Sequence, residues 1–239
     1  MSNNAFVTLT SNDLFVPGAI AAVKSIRMTK TKHPIFCMVS NEVSEENKIE
    51  LENNGCTVIV VDKIHSNVSG EEGDRFEVGK NWLTFTKLNV FNLTQFDKIV
   101  YIDADCIVLQ NIDDMFNFPT LSGYTLAHTG ELEAGVLVLE PSNQLFNEIL
   151  SFIDKENWKN HDQSLLNWFF RDHKKEFHHL SNEYHFCHKL YHNRDPSLLQ
   201  KKKAKIIEFN GYKPWIPSRW KDGEDVFYKI WNYAYSYEF

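Results

Sequence analysis

A short apolar run, "AFVTLT" (Ala5 to Thr10), stands near the start of the chain, and behind Pro17 the residues Ile20, Val23 and Ile26 follow three apart. The run is strand-like, and the spacing puts one apolar face on a helix that Pro17 can begin. The alternation then repeats. "PIFCMVS" and "CTVIVVD" are two more apolar runs, and between them Ser44 precedes Glu45 and Glu46, a helix start that Gly55 stops. Trp82, Phe85, Leu88 and Phe91 recur at helical spacing ahead of a fourth run, "KIVYID". Strands alternating with helices predict an α/β fold, a mostly parallel central sheet with helices on its faces. Ligands of such sheets bind beyond the carboxyl ends of the strands.

The second half is less regular. "AGVLVLEP" predicts a strand ended by Pro141, while Leu145, Phe146, Ile149, Leu150 and Ile153 line a helix, and another helix is expected from about Asp162 to Phe170. The remaining segments, rich in His, Tyr and Trp, give mixed signals. No linker, repeat or low-complexity stretch divides the 239 residues, so one domain is expected over 1–239.

Composition narrows the function classes. Apolar residues at 43%, with eighteen Phe and six Trp, suffice for a real core. The net charge of −7 argues against a nucleic-acid partner. The one basic run, "KKKAK" at Lys201 to Lys205, reads as a solvated helix end or loop. Cys37, Cys56, Cys106 and Cys187 lack the spacing of a disulfide framework or a zinc site and are expected to be reduced. The first apolar run is too short for a signal peptide and no run reaches transmembrane length, so a soluble, cytoplasmic protein with no membrane span is expected.

The candidate chemistry sits at the end of the fourth strand. In an extended chain Asp103 and Asp105 face one side and Ala104 the other, so two carboxylates aim at one point. Two hard oxygen ligands there suit Mg²⁺ or Mn²⁺. The alternative is that they cap a turn leaving the sheet. The short pattern alone leaves both readings open.

Further segments fit the same picture. In order they are "FVTLTSNDLFVPGA", the Arg of "RFEVGKNWLTFTKL", "YIDADCIVLQNID", "EAGVLVLEPS", "DQSLLNWFF" and "NGYKPW", spanning Phe6 to Trp215. Together the chain resembles the glycogenin-like members of glycosyltransferase family 8. The resemblance implies a single GT-A domain with a nucleotide-binding part over about 1–105 and an acceptor-binding part over about 106–239. It further implies transfer of a hexose, with retention, from a UDP-sugar to an acceptor glycan, protein or small hydroxyl compound, and it leaves room for a homodimer.

The resemblance also assigns roles. Leu9, Ser11 and Asn12 would contact the nucleoside, and Phe15 would stack on uracil where the family has a tyrosine; a core role for Phe15 stays open. Arg75 and Lys87 would supply positive charge near the diphosphate and sugar. Asp103 and Asp105 would hold Mn²⁺, with Mg²⁺ as the other candidate, and Ala104 would line the donor site. The family's histidine ligand falls at Glu208, a harder ligand that adds a negative charge. The alternative for Glu208 is a solvent-facing position on a short strand.

Gly211 and Lys213 would meet the phosphates. Glu133 and Ala134 stand where the family has Asn followed by Ser or Ala, so the donor sugar itself stays open. Asp162 would bind donor hydroxyls, its other reading being a helix cap, and Gln163 would lie near the anomeric carbon. Glutamine is a poor nucleophile, which favours same-face attack by the acceptor over a covalent intermediate on Asp162 or Glu133. The histidine-rich stretch from His173 to His192 reads as hydrogen-bonded surface or acceptor groove, with Tyr191 a weak candidate acceptor. Runner-up readings are a UDP-sugar-binding protein with weak hydrolase activity and a non-catalytic interaction module on a transferase fold.

Overall fold

The computed structural model describes residues 2–68, 81–126, 130–158, 161–187, 203–211, 213–216 and 226–239. The apolar runs of the first half are its strands: β1 (Asn4–Thr10), β2 (Ile35–Val39), β3 (Thr57–Val60) and β4 (Lys98–Ile102). Between them lie α1 (Val16–Met28), with Pro17 in its first turn, and α2 (Glu45–Asn53), whose first turn Ser44 caps by accepting from the Asn47 N–H. All three neighbour pairs of these strands are parallel, with Val7 of β1 level with Tyr101 of β4.

The strands are apolar throughout because both faces of the sheet are covered. Phe6, Val100 and Ile102 face α1, packing with its Ile20, Val23 and Ile26. Ala5, Val7, Ile99 and Tyr101 face the other layer, where Phe85, Leu88 and Phe91 pack with Leu165, Leu166 and Phe169. The segment with the three-residue apolar spacing is a 3₁₀-helix, Asn81–Asn92, whose period of three keeps residues i and i+3 in line.

The second half completes the sheet. After β5 (Cys106–Val108), β6 (Ser122–Thr125) and β7 (Leu132–Leu139) follow, then α3 (Asn143–Leu150), α4 (His161–Leu166) and β8 (His178–Leu180). The seven strands run β3-β2-β1-β4-β7-β6-β8. β7 runs antiparallel to both neighbours, an exception to the expected parallel order. The helix expected over 162–170 starts at His161 and opens after Leu166 into a π-helical segment, Asn167–Lys174.

A second, three-stranded sheet sets β10 (Ile206–Glu208) between β5 and β9 (Phe186–Cys187). The C-terminal helix α5 (Val226–Ser236), which the mixed signals did not predict, covers it with Phe227 and Trp231 against Ile107, Phe186 and Ile207. Lys205 of the basic run leads into β10 and pairs with Asp114 at 2.8 Å, so it is less a free solvated end than expected. All four cysteines are free and buried.

Candidate active site

β1 and β4 lie side by side and parallel, so the chain leaves both at the same edge of the sheet. After β1 come Ser11, Asn12 and Phe15, each half-buried, with Leu9 at the strand's end. The Asn12 side-chain oxygen is buried with no partner among the described residues. Phe15 stands edge-on to Trp215, ring centroids 5.7 Å apart.

After β4 the chain turns at once, Cys106 N–H donating to the Asp103 carbonyl at 3.0 Å, and β5 begins. The turn reading of the Asp-x-Asp pair is therefore met by the backbone and leaves the two carboxylates for other work. Asp103 accepts from the Tyr101 hydroxyl at 2.5 Å on one oxygen and from Lys87 at 3.0 Å on the other. The same ammonium reaches Asp162 at 3.0 Å and the Ala134 carbonyl at 3.2 Å. Lys87 thus ties the 3₁₀-helix, β4, β7 and α4 together at one atom. Its burial opposes the charge, but Asp103 and Asp162 outweigh that and hold the ammonium well above its ordinary range. Burial pushes the Asp103 carboxyl up to about 6 even with Lys87 against it.

Glu208 comes to the same point from β10. Its ligand oxygen lies within 4.8 Å of those of Asp103 and Asp105. The solvent-facing alternative does not hold, because Glu208 is only 7% exposed. Gly135 makes room for it: a Cβ there would stand 3.0 Å from the Glu208 carboxyl carbon. Lys213 pairs with Asp105, and Gly211 adopts φ 85°, a region that favours glycine. Glu133 is half-buried beside this cluster, where burial and then the charge of Glu208 push its carboxyl up to about 7. Gln163 is half-buried next to Asp162, and Arg75 lies outside the described residues, as does Tyr191.

The all-oxygen donor set fits a hard divalent cation. One oxygen of Asp105 is buried with no partner among the described residues, a group that a cation would satisfy. Carboxylates also outnumber lysines here, which favours a bound positive charge.

Residues 6–132 and 131–218 match the sequence profile of Glycosyl transferase family 8. The chain belongs to that family. Glycogenin-1 of Caenorhabditis elegans is 36% identical over 172 residues, which cover 70% of this chain and 39% of that protein. Inositol phosphorylceramide glucuronosyltransferase 1 of Arabidopsis thaliana is 35% identical over 172 residues, 72% of this chain and 31% of that protein. The family 8 chain thus spans about a third of the length of these two relatives. The solved glycosyltransferase GlyE of Streptococcus pneumoniae superposes with a TM-score of 0.71 at 19% identity, covering 99% of this chain and 61% of that one. The galactosyltransferase LgtC, solved with donor and acceptor sugar analogs, gives 0.64 at 15%, covering 97% and 95%. The shared architecture is the GT-A fold, as the motifs implied.

Three residues of the candidate site receive no role from the motifs, although Tyr101 and Asn167 lie within them. Tyr101 has the sequence setting of strand core, yet its hydroxyl serves Asp103. Asn167, in the π-helical segment, accepts from Leu132 N–H at 2.7 Å and donates to the Leu132 and Gln163 carbonyls at 3.0 and 2.9 Å. It clamps the strand carrying Glu133 to the helix carrying Asp162. A polar residue inside an otherwise apolar stripe is its one sequence signal. His185, expected at the surface or in a groove, is 1% exposed, with its ring against Glu208.

Proposed function

We propose that this chain is a divalent-cation-dependent, retaining glycosyltransferase that moves a hexose from a UDP-sugar to a hydroxyl acceptor. The observation that carries the reading is the convergence of Asp103, Asp105 and Glu208 at the carboxyl edge of the sheet, with one buried Asp105 oxygen unpartnered among the described residues. The GT-A fold and the family relationship support it. Mn²⁺, or Mg²⁺ in its place, would be held by these three side chains and would neutralise charge on the departing diphosphate.

The chain's own residues divide the remaining work. Leu9, Ser11, Asn12 and Phe15 form the nucleoside end, the part of the chain up to about residue 105 supplying the nucleotide side and 106–239 the acceptor side. Lys213, now on Asp105, is the point charge that can turn to a phosphate oxygen. Lys87 fixes Asp162 at 3.0 Å, so that its carboxylate can accept from donor hydroxyls without swinging toward the reacting carbon. Glu133 and Ala134 border the sugar.

Gln163 follows Asp162 on α4 and offers an amide to the anomeric region. In the same-face reaction the acceptor oxygen bonds to the anomeric carbon as its bond to the phosphate oxygen breaks. The acceptor proton passes to that phosphate. No side chain needs to become glycosylated.

Among the described residues no helix is long and apolar enough to cross a membrane. The buried free thiols accord with a reducing, cytoplasmic setting. A panel of UDP-glucose, UDP-galactose, UDP-xylose and UDP-N-acetylglucosamine with Mn²⁺, read by mass spectrometry, tests the activity. At least one donor is expected to release UDP together with free or transferred sugar. Intact donors throughout, under conditions where the protein binds UDP, would sink the enzymatic reading in favour of a binding module.

A further inference from the structure

The small sheet brings several donors onto one carboxylate. Glu208 stands level with Cys106 across the antiparallel pair and with Cys187 across the parallel one. His185, two residues before Cys187, faces the same side as that cysteine. Its ring Nε2 consequently meets Glu208 Oε2, and the Cys187 thiol donates to that same oxygen at 3.6 Å. On the other oxygen, Oε1, Asn210 donates at 2.8 Å. His185 and Cys187 are 1% and 3% exposed. The His185 Nδ1 is buried with no partner among the described residues, so the ring's hold on the site runs through Nε2.

A glutamate side chain is long and has many rotamers, and holding one of them costs entropy. Facing two other carboxylates, it would also turn away by like-charge repulsion. Donors placed on both of its oxygens, from outside the cluster, counter both tendencies. Groups that orient a metal-binding side chain in this way commonly govern how tightly the ion is held.

We propose that His185 is a positioning residue that aims Glu208 at the Asp103–Asp105 pair and thereby sets the divalent-cation affinity of the site. The inference rests on the reading of these three carboxylates as the metal-holding group. Asn210 is the weaker second support. Cys187, a soft and weak donor, contributes least.

The test is titration of Mn²⁺ into the full chain in the presence of UDP, free Mn²⁺ being read by electron paramagnetic resonance and folding by circular dichroism. His185→Leu is expected to weaken Mn²⁺ binding roughly 10- to 100-fold. His185→Gln, which keeps an N–H donor, should recover most of that loss. Adding His185→Leu to Glu208→Gln should change nothing further, since the histidine acts through the glutamate. Should His185→Leu fail to fold, His185→Asn, whose polar amide is too short to keep the contact with Glu208, carries the test with a loss in the same direction. Unchanged affinity in His185→Leu, or in His185→Asn where that variant stands in, beside weakened affinity in Glu208→Gln overturns the inference and leaves the metal-site reading standing. An equal loss with and without Glu208 overturns it too, as does a second metal equivalent that disappears with His185. Absence of Mn²⁺ binding by the wild-type chain overturns both the inference and the reading beneath it.

Discussion

At the edge of the large sheet, burial pushes the Asp103 carboxyl up to about 6, while on the small sheet burial of Glu208 is overruled by His185 beside it and its carboxyl is drawn down to about 2. The two groups belong to one cluster, and Asp103, whose side chain is the more exposed at 25% against 10% for Glu208, is nevertheless the one pushed up, so exposure does not account for the difference. Their neighbours do. Asp103 shares its lysine with Asp162 and feels Asp105 close by, whereas Glu208 has an imidazole directly on one oxygen. One arm of the cluster is poised to accept a proton or a cation, and the other is a fixed negative charge. A cation entering the site therefore relieves the large-sheet side most.

The largest effect that would break this picture is loss of the ion's role. Asp105→Asn is expected to lower kcat/KM by about 10⁴-fold, equivalent to roughly 5 kcal/mol of transition-state stabilisation. Steady-state assays with the preferred donor check it, and activity within tenfold of wild type would mean that the large-sheet arm is dispensable.

Lys87 is the element that keeps Asp103 from being worse off still. Lys87→Met leaves the buried Asp162 and the partly buried Asp103 without their shared partner and should destabilise the fold by about 3–5 kcal/mol. Urea denaturation measures it, and a loss below about 1 kcal/mol would show that the pairing is energetically idle.

The opposite shifts also separate by pH in metal-free protein. Asp103, raised from 3.8 to about 6, penalises the folded state at neutral pH, and that penalty is relieved as pH falls from about 6 toward 4. Glu208, lowered from 4.5 to about 2, contributes stability above its unfolded value that is lost as pH falls from about 4.5 toward 2. Denaturation midpoints across pH in EDTA should lose the first feature in Asp103→Asn and the second in Glu208→Gln. If Asp103→Asn left the window between about 6 and 4 unchanged, or Glu208→Gln the window between about 4.5 and 2, the division between the two regions would be wrong.

A smaller effect sharpens the comparison from a distance. Asn167→Ala should cost about 1–3 kcal/mol of stability by leaving buried backbone groups of Leu132 and Gln163 unpaired. It should reduce kcat more than it changes Mn²⁺ affinity, because it loosens Glu133 against Asp162 and leaves the carboxylate cluster alone. An unaltered kcat would remove Asn167 from the list of positioning residues.

The two regions also differ in how much of them could be read in advance. β1 to β4 announce themselves because strands buried on both faces are apolar at every position, and Asp103 and Asp105 interrupt that run visibly. β5, β9 and β10 are two or three residues long, too short for any period to show, and their pairing joins segments from distant parts of the chain. Glu208 could be placed only through the family resemblance around "NGYKPW", where it stands at the family's histidine position. His185 could not, since only the register of β9 beside β10 brings it to Glu208 and no local pattern distinguishes it from its histidine neighbours. Asn167 hides for another reason: a single polar residue next to Leu165, Leu166 and Phe169 reads as part of the helix's solvated face, whereas it is buried with them.

Thermal shift of the wild-type chain and of Glu208→Gln with UDP, each with Mn²⁺ and with EDTA, tests the central claim most directly. If three carboxylates form one cation site that completes the nucleotide site, UDP raises the melting temperature of wild type only when Mn²⁺ is present, and Glu208→Gln loses most of that increment. An equal UDP shift in EDTA, or an undiminished Mn²⁺-dependent shift in Glu208→Gln, would contradict it.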